Sequence, residues 1–66
     1  MFNITKEQID LLRPYINDID NLINQEINEF LLVLDDVILD SLDKDEEATE
    51  LTRKLDKLYD AIYSAN

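Results

Sequence analysis

From Ala48 to Ala65 the apolar residues Ala48, Leu51, Leu55, Leu58, Ile62 and Ala65 recur at intervals of three and four. That period marks one face of an α-helix, whereas a half-buried strand would alternate at every second residue. The same spacing occurs twice upstream. Ile9, Leu12, Ile16 and Ile19 define a first inward face, and Ile23, Ile27, Phe30, Leu34, Val37 and Ile38 define a second, broader one. No glycine interrupts any of them. The expected fold class is therefore all-α: a small helical bundle in which a short N-terminal helix packs on a long antiparallel helical hairpin.

Local signals set the expected boundaries. Thr5-Lys6-Glu7-Gln8 reads as a capping box, so a first helix should span about residues 6–13. Pro14 removes a backbone donor and disfavours helical geometry at Arg13. The apolar period nevertheless passes through Pro14 without a phase jump. Either the first helix ends near Arg13, or it continues, kinked, into residues 17–21. The middle helix then begins somewhere between about residue 15 and residue 21 and runs to about 41. An acidic turn over 42–46 follows, with Asp43 and Glu46 at capping-box spacing, and a C-terminal helix should occupy about 46–64. Glu50 and Lys54 are spaced for an i, i+4 ion pair, Tyr59 and Tyr63 flank the seam one turn apart, and Tyr15 sits where it can cover the reversal at Pro14.

Sixty-six residues make a single domain, and a chain of this size buries only about 60% of the surface it exposes when unfolded. With no Cys there is no disulfide to compensate, and self-association into a homodimer is the expected support. Eleven Leu and eight Ile are too many for a disordered acidic tail.

The residue inventory excludes most chemistry. Without His or Cys there is no thiol nucleophile, no Ser-His pair and no nitrogen- or sulfur-ligated metal site, so neither enzyme activity nor a cofactor is expected. Asp36 and Asp40, one turn apart beside Asp35, are spaced as a carboxylate pair, but they also read as the solvated face of an amphipathic helix. Asp43, Asp45 and Glu47 match the first, third and fifth positions of a calcium loop. That pattern then fails, because the sixth position is Ala48 where the turn needs Gly and the twelfth is Lys54 where a bidentate Glu is needed. No metal site is expected.

The net charge is −10, and its placement is uneven. Residues 17–47 hold 11 acids against Lys44 alone, while the segments on either side are each neutral. Such a surface repels nucleic acid and anionic membranes, so basic protein surfaces are the expected partners. The longest apolar run, Phe30 to Leu34, is far too short to span a bilayer, the first residues have no signal-peptide pattern, and a cytoplasmic location is expected.

Two candidate surfaces emerge on the middle helix. Glu26, Glu29, Asp36 and Asp40 share a stripe with Val33, and Asp43 extends it. Leu32 and Leu39, seven residues apart, fall on neither that stripe nor the core face. Three placements compete for these leucines: covered by the first helix, paired in a homodimer seam, or docked on another protein. The functional expectation is a non-enzymatic protein-binding module, concretely an inhibitor or nucleic-acid mimic that occupies the basic surface of a nucleic-acid-binding protein. Small inhibitors carried by phages or mobile elements, anti-CRISPR proteins among them, are of this physical type. The alternative is a structural or regulatory homodimer that docks its partner through the Leu32 and Leu39 line.

Overall fold

Four helices and no strands make up the computed structural model, which describes all residues 1–66: α1 (Lys6–Leu12), α2 (Ile19–Leu22), α3 (Ile27–Asp40) and α4 (Glu50–Ser64). The radius of gyration is 11.5 Å, close to the value of about 11 Å for a compact chain of this length. No helix is long and apolar enough to cross a membrane.

The first helix starts at the expected cap. Thr5 Oγ1 accepts from the Gln8 amide at 3.1 Å, and Gln8 Oε1 accepts from the Thr5 amide at 2.9 Å. At the other end Arg13 keeps helical geometry despite preceding a proline, its amide still donating to Ile9. Pro14 then ends the helix without kinking it onward: the amides of Tyr15 and Ile16 both turn back onto the Leu12 carbonyl. Across this reversal Arg13 and Asp20 form a two-pronged ion pair at 2.9 and 3.2 Å. The guanidinium, through its hydrogen bonds first and its charge second, holds the Asp20 carboxyl below the usual carboxylate range. The contribution of this pair is therefore present above the unfolded carboxylate value and is lost as pH falls through the lowered one. Both side chains are exposed, so water and salt screen it.

The continuous middle helix expected from about residue 15 or 21 is not formed. One short turn, α2, precedes a break at residues 23–26, and α3 starts only at Ile27. Asparagine is the physical cause. Asn21 donates to the Asp18 carboxylate and Asn24 donates to the Asp20 carbonyl, so the amide side chains bond locally instead of letting the ladder continue.

The start of α4 also differs from expectation, falling at Glu50 and not near residue 46. Thr49, not Asp43, is the N-cap. Thr49 and Thr52 form the reciprocal box at 3.1 and 3.0 Å, and both hydroxyls also donate to the Ser41 carbonyl at 2.9 and 3.1 Å. The Asp43 carboxylate is used within its own loop, accepting from the amides of Asp45 and Glu47 at 2.9 Å each. Glu46 has φ +60°, a left-handed conformation that no helix start can contain. The expected Glu50–Lys54 pair is absent, since Arg13–Asp20 is the one salt bridge in the fold.

The core draws on every helix. Leu12 from α1, Ile19 from α2, Phe30, Leu31 and Leu34 from α3, and Leu55 and Ile62 from α4 are buried, joined by Ile16 from the turn. Ile9, Ile23, Ile27, Val37, Ile38, Leu51 and Leu58 pack against them half-buried, as their spacing predicts, while Ala48 and Ala65 stay exposed. The N-terminal segment closes the far end: the Phe2 ring lies 5.0 Å from that of Phe30, and Asn3 and Asn66 exchange hydrogen bonds at 2.8 and 2.9 Å.

Only nine of the 66 residues are buried, so the margin is thin. Phe30→Ala should remove about 3–5 kcal/mol, comparable with the whole stability of about 3–10 kcal/mol expected at this length, and circular dichroism should find the variant largely unfolded. Glu46→Gly should act oppositely, raising the urea midpoint by the equivalent of about 0.5–1 kcal/mol as the left-handed strain is relieved.

Candidate interaction surface

The exposed side of α3 is one continuous stripe: Asn28, Glu29, Leu32, Asp35, Asp36, Leu39 and Asp40. Every other residue of the helix is buried or half-buried. At 100° per residue Leu32 and Leu39 run along the middle of this stripe, about 10.5 Å apart along the axis. Asp35 lies on one side of them, and Glu29, Asp36 and Asp40 on the other. The leucines are 63% and 57% exposed. The acidic stripe and the leucine line, separate in the sequence reading, are thus one face.

That arrangement removes the placement in which the first helix covers Leu32 and Leu39. Both leucines stay largely exposed, and Leu12, the buried residue of α1, belongs to the core on the other face of the helix period. Val33 departs from the expected contact: it is half-buried against the core and lines a separate surface pocket with Tyr15, Asn21 and Gln25, away from Leu32 and Leu39. Glu26 is exposed at the N-cap of α3, one step off the helix, and Asp43 is committed to the amides of its own loop. Glu29, Asp36 and Asp40 are the expected acids that the fold brings together with the leucines.

Two residues that the sequence places beside the seam border this face. Tyr59 and Tyr63 of α4 stack with ring centroids 6.4 Å apart and planes 8° from parallel. Together with Leu31, Leu32 and Asp35 they line a shallow trough of about 290 Å³. Tyr63 is 64% exposed, so the apolar line on α3 widens at one end into an aromatic shelf. The spacing of Tyr59 and Tyr63 gives their mutual stacking but says nothing about which residue of α3 they meet.

No group of three carboxylates converges closely enough to hold a metal ion. Every buried polar side-chain atom has a hydrogen-bond partner, which leaves no orphaned group aimed at a ligand. What this face offers chemically is apolar area framed by negative charge. No family model, curated protein or solved structure matches the chain.

Because the leucines are largely exposed and outside the buried cluster, replacing both by Ser should leave the fold intact. The double variant Leu32→Ser/Leu39→Ser should match the parent in urea denaturation within about 0.5 kcal/mol per substitution at low protein concentration. Leu34→Ser, on the buried side of the same helix, should unfold it.

Proposed function

We propose that this chain is a non-enzymatic protein-binding module whose α3 face occupies a basic groove of a nucleic-acid-binding protein and so excludes that protein's substrate. The observation that carries the reading is the exposure of Leu32 and Leu39 in the middle of an acid-lined helix face. An isolated exposed leucine is ordinary, but two on one line with flanking charge form a surface that water solvates poorly at its centre and well at its rim. Burying each leucine against a partner contributes up to about 2 kcal/mol. The carboxylates contribute mainly to steering and to the choice of partner.

The leucines sharpen the mimicry idea. Phosphates follow one another every 3.4 Å or so along a DNA strand, whereas Glu29, Asp36 and Asp40 step by about 10.5 and 6 Å along the helix. The acids imitate the field of a nucleic acid coarsely, and the leucines ask for something no nucleic acid needs, an apolar floor in the groove. A partner of this kind binds its nucleic acid partly by stacking or apolar contact.

The alternative reading, a homodimer through the Leu32 and Leu39 line, is less well supported. A symmetric seam places Glu29, Asp35, Asp36 and Asp40 of one copy against the same residues of the other, and each like pair at 10 Å opposes association by about 0.4 kcal/mol even in bulk water.

The test is an affinity capture from a host lysate with a salt step. Basic nucleic-acid-binding proteins should elute as salt rises, and the purified protein should lose nucleic-acid binding when this chain is added. Reversing Glu26, Glu29, Asp36 and Asp40 to Lys should abolish capture. Capture unchanged by the reversal, or an eluted protein whose nucleic-acid binding is unaffected, overturns the reading.

A further inference from the structure

The end of α1, the turn after it and one flank of α4 leave an apolar groove of about 290 Å³. Leu51 and Leu58 form its floor and Leu11 and Tyr15 its far bank, the last two being 52% and 44% exposed. Lys54 and Lys57 stand at its rim, and neither is engaged in a salt bridge. In a chain of net charge −10 this is a local reversal: an apolar surface edged by unpaired cations. No residue of α3 lines it.

The spacing of the groove repeats that of the α3 face. Leu51 and Leu58 are seven residues apart, as are Leu32 and Leu39, so both pairs stand about 10.5 Å apart along their axes. Between the groove leucines Lys54 lies three residues past one and four before the other. Between the face leucines Asp35 and Asp36 occupy the corresponding two positions. With the helices laid in the same direction Asp35 comes level with Lys54. With one reversed, Asp36 does.

We propose that the groove between α1 and α4 receives the α3 face of a second copy of this chain, so that Leu32 and Leu39 seat against Leu51 and Leu58 while Asp35 or Asp36 pairs with Lys54. The two surfaces are unlike and share no residue. The contact is therefore head-to-tail, and each copy that is captured presents a fresh α3 face of its own. Growth past a pair is its signature. Salt acts here in the opposite sense to partner capture, because two copies of charge −10 repel over a Debye length of about 30 Å at 0.01 M but only about 8 Å at 0.15 M.

Sedimentation equilibrium on the purified chain, from micromolar to millimolar concentration, tests this directly. The weight-average mass should climb beyond two copies, and should climb further at the higher of those two salt concentrations. Lys54→Glu/Lys57→Glu and Leu32→Ser/Leu39→Ser should each be folded by circular dichroism and monomeric alone. Mixed in equal amounts they should form a pair and stop there, since one supplies an intact face and the other an intact groove. A parent protein that stays monomeric, a lysine variant that associates like the parent, or a mixture that stays monomeric overturns the proposal. The lysine variant leaves the α3 face untouched and should still capture the basic partner, so the two readings fail independently.

Discussion

The carbonyl of Ser41 is the point on which the arrangement of α3 and α4 turns. It takes the hydroxyls of Thr49 and Thr52 together, at the moment when those threonines are also closing the cap of α4. Thr52 is 2% exposed and lies 2.8 Å from the Ser41 hydroxyl as well. A buried hydroxyl left without partners would destabilise this junction by about 1–3 kcal/mol, so the cap and the crossing must form together. The apolar period of α3 turns Leu34 inward and Leu32 outward, and the junction ties the C-terminal end of that helix to the start of α4.

Much of this was legible in the chain. The Thr5–Gln8 box and the inward residues Leu12, Ile16, Ile19, Phe30, Leu34, Leu55 and Ile62 follow from spacing alone, because a helix face is a local geometric property. The start of α4 was not legible. Asp43 with Glu46 has the spacing of a cap, whereas Thr49 with Thr52 lacks the usual Glu or Gln and closes with the help of the distant Ser41 carbonyl. The break before α3 depends on where Asn21 and Asn24 send their side chains. Leu31 escaped as a core residue because its burial depends on how far the crossing helix wraps around α3, which a periodicity cannot register. For the surfaces, spacing set Leu32 and Leu39 off the core face but left open whether the first helix covers them, and the groove edged by Lys54 and Lys57 was not visible, since it requires Leu11 of one helix to meet Leu58 of another.

Charge separates the two sides of this small fold. The acids that exceed the basic residues lie on α2, α3 and the loops around them, whereas α4 balances Glu50, Asp56 and Asp60 against Arg53, Lys54 and Lys57. A chain with one core and few buried residues cannot afford an unsatisfied polar group inside, and it has none. Its specificity therefore has to be written on the outside, in where apolar side chains are left uncovered and which sign of charge surrounds them.

The reciprocal pairing of Asn3 with Asn66, backed by Asn3 Nδ2 on the Ala65 carbonyl and Asn66 Nδ2 on the Ile62 carbonyl, gives the molecule an almost annular chain path. Residues separated by 63 positions are in direct contact, so fraying at either terminus must loosen the other. It also makes the ends interchangeable with a loop. Joining them covalently and opening the chain between Lys44 and Asp45 would preserve all four helices while converting the longest-range contact in the fold into a neighbouring one, a circular permutant with a shorter closure to make during folding.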